Sequence, residues 1–281
     1  MDNGEKLRFG ILCNGATFRE WQARCIEALI AAGARPALLV LDARPPLPPK
    51  PLAARLGGLL RLKINLFSIY SRYYVNPRAR ASRPVDLSQL LTGVPRLSCM
   101  VQKRGKFSEY FAPDDIAAIR SCNLDFMLRF GFNIIRGDVL KAARFGVWSF
   151  HHGDEQRYRG APPCFWEIFR DDPETGAILQ RLTETLDGGV VLKKALLPTV
   201  LHSYQANRDA AHYAGVPWPA EVCRDILSGR ADHLEAGPVR TTAPIYKEPS
   251  NGEMIRFFWK QLGHGIRHRL FPSAPRLAAQ K

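Results

Sequence analysis

The chain has 281 residues, 46% hydrophobic and 23% charged, with a formal net charge of +14. The length fits one large α/β domain, or a domain of about 200 residues with an extension. The composition excludes a mainly disordered, collagenous or coiled-coil chain, and no run approaches the roughly 18 uncharged apolar residues of a membrane span. The N-terminus MDNGEKLRFGILCNG lacks the long apolar core of a secretory signal. Cys13, Cys25, Cys99, Cys122, Cys164 and Cys223 are scattered with no CxxC pair. That usage implies a reduced, cytoplasmic chain without a disulfide frame, and no metal site is expected from spacing. A field of +14 attracts anions: nucleic acid, anionic lipid or phosphorylated substrates. Between Pro51 and Tyr110, eleven Lys or Arg face two acids, Asp86 and Glu109, and the tail after Arg240 is also basic. The bland reading of both stretches is a solvated basic surface.

In chain order, Leu7 to Cys13 reads as a buried strand ending in an Asn14-Gly15 turn. Thr17 with Glu20 predicts a capping box, a helix to about Ala32 follows, and Gly33 stops it. Ala37 to Leu41 is a second buried strand, so the chain opens β-α-β, the beginning of a parallel sheet. Pro45 to Pro51 is a stiff polyproline-type connector. Leu52 to Tyr74 is apolar and basic, read either as a helix over the sheet edge or as an inserted surface element. Ala112-Pro113-Asp114-Asp115 starts a helix. Strands are expected at Leu124–Leu128, Gly146–Phe150, Ala177–Leu182 and Val190–Leu197, with short helices at Gly137–Ala143 and Pro163–Phe169. Past Leu201 the pattern turns helical, at Ser203–Tyr213, Pro219–Leu227 and Glu253–Leu270. This predicts a domain over 1–200, with a basic insertion at about 45–110, and a helical, basic extension over 201–281.

The densest polar cluster, SFHHGDEQRYRGAPP, runs from Ser149 to Pro163 at the exit of a predicted buried strand. Ligands of open α/β sheets bind beyond the carboxyl ends of strands, so the position suits a site. Asp187 lies in Leu186-Asp187-Gly188-Gly189, by itself only a turn signal. If the flanking strands are neighbours, Asp187 meets His151, and a carboxylate beside an imidazole orients it and supports its protonated form. The third element, Arg129-Phe130-Gly131-Phe132-Asn133-Ile134-Ile135, is a strand-end loop able to hold a flat heterocycle.

From Leu124 to Leu192 these pieces fall into one order. An apolar strand leads to FGFNII, then to VL-x-x-A-x-x-G (Val139 to Gly146), a segment ending in His, YRGAPP, Thr175-Gly176 and LDGG. This order resembles the folate-dependent formyltransferase family, which includes methionyl-tRNA formyltransferase, glycinamide ribonucleotide transformylase and the sugar N-formyltransferases. The resemblance implies a Rossmann-like α/β fold with a mainly parallel sheet, here with a helical C-terminal extension. It implies transfer of a formyl group from 10-formyltetrahydrofolate to an amine, with Phe130, Gly131, Phe132, Asn133 and Ile134 and the loop around Asp187 lining the pterin pocket. The family's catalytic trio is an Asn, a His two residues later and an Asp after the next strand. His151 and Asp187 match by position; Ser149 stands where the Asn would be.

That Asn helps hold the formyl oxygen, and losing an oxyanion donor costs roughly 3 kcal/mol. A Ser hydroxyl is a shorter donor, and His152 is a candidate to compensate. Three outcomes stay open: formyl transfer with a changed oxyanion site, a neighbouring reaction such as deformylation, or a non-catalytic module on the same fold. His152, Asp154, Arg159 and Gly160 are expected to contact the acceptor. Acids and amides in His152-Gly153-Asp154-Glu155-Gln156 favour a small amine, an amino sugar in nucleotide-linked or glycoconjugate form. Methionyl-tRNA stays the alternative acceptor, weakly supported by charge. The aromatic and basic helix from Glu253 to Leu270 has two readings, a helix packed on the main domain or one in peripheral contact with an anionic membrane.

Overall fold

β1 (Arg8–Cys13), the short β2 (Thr17–Arg19), α1 (Glu20–Ala31) and β3 (Arg35–Asp42) open the fold in the computed structural model, which describes residues 6–45, 65–105, 107–185, 188–234, 236–239 and 241–271. The polyproline reading falls almost entirely outside these residues, as does the 52–64 part of the segment after it. The chain continues through α2 (Leu66–Tyr70), β4 (Pro84–Asp86), β5 (Arg96–Cys99), β6 (Gln102–Arg104), β7 (Ser108–Tyr110), α3 (Pro113–Ser121), β8 (Phe126–Arg129) and β9 (Ile134–Arg136). Then come β10 (Val147–His151), β11 (Arg159–Gly160), α4 (Trp166–Phe169), β12 (Glu174–Arg181), β13 (Val190–Pro198), α5 (Tyr204–Ala214), α6 (Trp218–Leu227), β14 (Ile245–Tyr246) and α7 (Asn251–Leu270).

Seven strands form the main sheet in the order β13-β12-β10-β8-β1-β3-β5. β10, β8, β1, β3 and β5 run parallel, and β12 and β13 add two antiparallel strands. This is the mostly parallel, helix-flanked α/β fold that the β-α-β opening foreshadows. From β1 the chain winds outward to β3 and β5, then returns to place β8 and β10 on the other side. The topological switch point therefore lies at the carboxyl ends of β1 and β8, where such sheets bind ligands.

Alternate residues of the central strands feed two buried clusters, one on each face. On one face Phe126 stacks on Phe9 at 5.6 Å and on Trp148 at 3.9 Å, tying β1, β8 and β10 together. The C-terminal helices join that same cluster through Tyr204, Ala211, Trp218, Val222, Met254 and Phe257. Asp209 on α5 also accepts the backbone N–H groups of Arg80 (3.0 Å) and Ala81 (3.1 Å), fastening the 80–82 turn to it.

The structure departs from the sequence reading in a few places. Thr17 does not cap α1: its backbone pairs with Asp86 in the β2–β4 ribbon. The cap is Arg19, whose N–H donates to Gln22 Oε1 at 3.0 Å. The segment expected to be helical at 137–143 is a single 3-10 turn, Asp138–Lys141. Within the stretch read as a basic insertion, β5 completes the main sheet through its pairing with β3. β6, β7 and β9 form a separate small sheet. Strands of three or four residues carry too few positions for alternation to show.

Candidate active site

The loop after β8 is fixed before any ligand arrives. A side chain at Gly131 would put its Cβ 2.8 Å from Cys13 Cα and 2.9 Å from Asn14 Oδ1, so only glycine lets this loop close on the end of β1. Phe132 takes a positive φ of 63°. Glu109, fully buried, accepts the Asn133 backbone N–H (2.7 Å) and its Nδ2 (2.5 Å), while Arg44 Nη1 neutralises it at 2.5 Å. A buried carboxylate so paired makes a rigid clamp, because freeing either partner would strand a charge.

Two cavities meet at this loop. The larger, about 480 Å³, is lined by the end of β1, the start of α1, Phe130, Gly131, Phe132, Ser149 and His152. The smaller, about 100 Å³, is lined by Asn133, Ile134, Ile135, His151, Gln180, Thr183 and Thr185. The loop expected to bind one ligand is thus shared between two spaces. Arg129 and Phe150 line both.

Ser149 is 1% exposed. Its Oγ accepts Arg129 Nε at 3.1 Å and Nη2 at 2.9 Å, while Arg129 Nη1 donates to the Asn133 carbonyl at 2.8 Å. With both hydroxyl lone pairs taken by a cation, the Ser149 proton is left to donate, and the neighbouring charge polarises it. His151 Nε2 donates to the Tyr158 carbonyl at 3.0 Å, which makes the neutral ring the Nε2–H tautomer. Asp187 and Leu186 lie outside the described residues. Beside them, Thr183 Oγ1 donates to the Gly188 carbonyl at 2.9 Å, and Thr185 lines the smaller cavity.

The larger cavity is cationic. Arg19, Arg129 and Arg208 line it, and among the described residues no Asp or Glu does. Arg208 is 9% exposed; Nη1 donates to Asn76 Oδ1 at 3.1 Å, the guanidinium lies over the Tyr204 ring, and Nε has no partner. Trp21 Nε1 and His152 Nε2, on two further lining residues, are also buried without a partner. Unsatisfied buried polar atoms cost free energy and point to a ligand that would satisfy them.

His152 stacks on His212 at 3.8 Å, and Trp21 meets both rings edge-on at 5.3 Å. His212 Nδ1 donates to the Arg208 carbonyl at 2.6 Å. Burial, first, and then the charges of Arg208 and Arg19 bring the His212 pKa down to about 4 against the pull of that bond. Burial, followed by His212, His151 and the two arginines, puts His152 well below the ordinary histidine value. Both rings are therefore neutral near pH 7.

The structure brings Ser149, His151, His152 and the Phe130–Ile134 loop together around these two cavities. Of the other expected acceptor contacts, Arg159 and Gly160 line a small third space together with His151 and His152, and Asp154 turns away to Lys194. Asp154 is held by Lys194 Nζ at 2.7 Å, which also binds Glu155 at 3.0 Å, and it lines neither cavity. Arg159 and Gly160 form β11 against β14, and Arg159 Nη1 donates to the Ala243 carbonyl at 3.3 Å. A Cβ on Gly160 would fall 2.3 Å from the Tyr246 carbonyl oxygen, so this glycine serves backbone approach. Sequence reasoning missed Arg19, Trp21, Arg208 and His212, which lie in ordinary helical or strand contexts. For Arg129, its place at the very end of a buried strand was the one available signal.

No protein-family model matches the chain. It is 34% identical over 165 residues to the methionyl-tRNA formyltransferase of Phenylobacterium zucineum, covering 58% of this chain and 53% of that protein. It is 39% identical over 77 residues to the methionyl-tRNA formyltransferase of a Prochlorococcus marinus strain, covering 27% of this chain and 23% of that protein. The chain thus spans about half the length, or less, of these curated relatives. Its fold is similar to that of phosphoribosylglycinamide formyltransferase from Anaplasma phagocytophilum, with a TM-score of 0.50 and 15% identity over 79% of this chain and 89% of that one. Sequence and fold together bear out the resemblance of this chain to the folate-dependent formyltransferases.

Proposed function

We propose that this protein transfers a formyl group from 10-formyltetrahydrofolate to a primary amine, and that the amine sits on an anionic, phosphate-bearing sugar such as a sugar nucleotide. The observation that carries the reaction is the Arg129–Ser149 pair where the two cavities meet. The smaller cavity combines Ile134 and Ile135 with the amide of Gln180 and the hydroxyls of Thr183 and Thr185. That mix of apolar walls and neutral hydrogen-bonding groups fits a flat, amide-bearing heterocycle. When bound, the folate supplies the formyl carbon. The acceptor takes the larger cavity, where Arg19 and Arg208 meet its anionic group.

The acceptor must arrive as a neutral amine, and the uncharged His152–His212 pair in that cavity suits this, being unable to repel it or protonate it near pH 7. As the amine nitrogen bonds to the formyl carbon, the C=O π pair moves onto oxygen. Ser149, polarised by Arg129, donates its hydroxyl proton in a hydrogen bond to that oxygen. His151, already giving its Nε2–H to the Tyr158 carbonyl, takes on Nδ1 the proton the amine sheds, with Asp187 supporting the charge it gains, and returns it to the leaving nitrogen as the old C–N bond breaks. The products are the N-formyl compound and the deformylated carrier. The six free cysteines fit a reducing, cytoplasmic setting.

Methionyl-tRNA as acceptor is the second reading, favoured by the similarity to methionyl-tRNA formyltransferases and by the net charge of +14. The test measures tetrahydrofolate release from 10-formyltetrahydrofolate with neutral amino sugars, phosphorylated amino sugars, nucleotide amino sugars, methionyl initiator tRNA and no amine. Release with phosphate-bearing amines alone is expected. Release with the tRNA alone moves the acceptor to that class, and release without amine makes the reaction deformylation. No release, together with no folate binding by calorimetry, leaves a non-catalytic module.

A further inference from the structure

α7 has two faces. The inner face is fastened along its whole length. Met254 and Phe257 are fully buried, and Phe257 stacks on Phe165 at 4.5 Å. Tyr70 donates to Gln261 Oε1 at 3.0 Å, and His264 pairs with Asp171 at 2.8 Å beside a Lys260–Asp171 bridge. His268 stacks on His202 at 3.9 Å. Ser250 and Glu253 close a capping box at its start. The helix is therefore rigidly placed, and its outer face is displayed rather than frayed.

That outer face is apolar. Ile255, Trp259, Leu262, Ile266 and Leu270 recur at intervals of three or four residues, which puts them on one stripe of a 3.6-residue helix. All five are exposed, Trp259 at 70% and Leu270 at 67%, and Phe258 and Phe271 extend the patch. Arg256 and Arg267 flank the stripe on one side and Arg269 on the other, all exposed. The sole acid of the helix is Glu253, spent in the capping box. Among the described residues no helix is long and apolar enough to cross a membrane.

We propose that α7 lies flat on an anionic lipid bilayer, with its outer stripe among the acyl chains and Arg256, Arg267 and Arg269 on headgroup phosphates. An apolar stripe bordered by arginines is the pattern of an interfacial helix. Charge selects this occupant over a second copy of the chain, since two such helices would bring like-charged flanks together in a protein already at +14. The bordering charges draw the helix to anionic headgroups, and burying the stripe then removes five large side chains from water. This surface is independent of the proposed chemistry and stands or falls without it.

The test is co-sedimentation of the full chain with vesicles of phosphatidylcholine and phosphatidylglycerol, and with phosphatidylcholine alone. It is repeated for the Trp259→Glu, Leu262→Glu double variant and the Arg256→Gln, Arg267→Gln double variant, with sedimentation velocity without lipid alongside. All four positions are exposed, so an unchanged melting temperature marks each variant as folded. Binding to the anionic vesicles is expected, weakened roughly tenfold or more by the glutamates. The glutamines should weaken it less, and mainly at low salt. Absence of binding to anionic vesicles, or binding that the glutamate variant retains in full, overturns the proposal. A lipid-free dimer that the glutamate variant dissolves also overturns it and assigns the stripe to self-association.

Discussion

Arg129 Nε and Nη2 both donate to Ser149 Oγ, at 3.1 and 2.9 Å, across 20 residues of sequence. The Ser149 hydroxyl is thereby tuned by a fixed cation. Arg129→Met and Ser149→Ala should each lower turnover by roughly a hundredfold, the scale for losing one oxyanion donor. Because the two act as a unit, the double variant should be little worse than either single one. Ser149→Asn should also reduce the rate, since the larger amide would have to displace the guanidinium. A rise in rate with Ser149→Asn would mark the site as degraded rather than rebuilt. Steady-state kinetics decides.

His151→Ala and Asp187→Asn should abolish formyl transfer while leaving the melting temperature within a few degrees of the parent. Single-turnover assays and thermal unfolding check the two halves of this expectation. Wild-type turnover in both variants would remove these residues from the mechanism.

Arg208→Gln should raise KM for a phosphorylated amine at least about tenfold, the scale of a lost charge-assisted hydrogen bond. Its kcat should change little, and a neutral amino sugar should show no such loss. A fall confined to kcat would place Arg208 in the chemistry instead.

His212 predicts an acid-side loss of stability. Its folded pKa, about 4, lies below the ordinary 6.5 because of burial and then the nearby arginine charges. Above pH 6.5 both folded and unfolded forms are neutral and nothing is lost. Below it the unfolded state binds a proton that the folded state refuses, so stability falls as pH drops toward 4, by roughly 3 kcal/mol in all. Denaturant titrations across this range should show the slope, and His212→Gln should flatten it.

Glu167 predicts the opposite slope. Burial, and secondarily Asp172 and Asp154, push its pKa up to about 7 from 4.5, and its Oε1 has no partner. As pH rises through that window the unfolded state ionises first, so stability is lost, by roughly 3 kcal/mol. Glu167→Gln should raise the melting temperature at pH 8 and have little effect at pH 4.

Much of the scaffold was legible without coordinates. The apolar run into Asn14-Gly15, the stop at Gly33 and the Pro113-Asp114-Asp115 start are local signals, and the structure has β1, α1, β3 and α3 there. Thr17 failed as a cap because a neighbour distant in sequence claimed its backbone, Asp86 in β4. β4, β6, β7 and β9 were invisible for the same kind of reason: three residues of strand are specified by what they pair with.

The candidate site divides along the same line. By itself the sequence determined the parallel β-α-β frame, the polar exit of β10, the glycine-containing loop after β8 and the apolar-basic character of α7, since each is written in neighbouring residues at a 2- or 3.6-residue period. Only tertiary structure decided that Arg129 reaches Ser149, that Asp154 turns to Lys194, that Arg208 of α5 shares a cavity with Arg19, and that the stripe of α7 faces outward. Those facts depend on which elements the sheet order makes adjacent, and a charge on a helix face carries no local mark of the partner packing will bring to it.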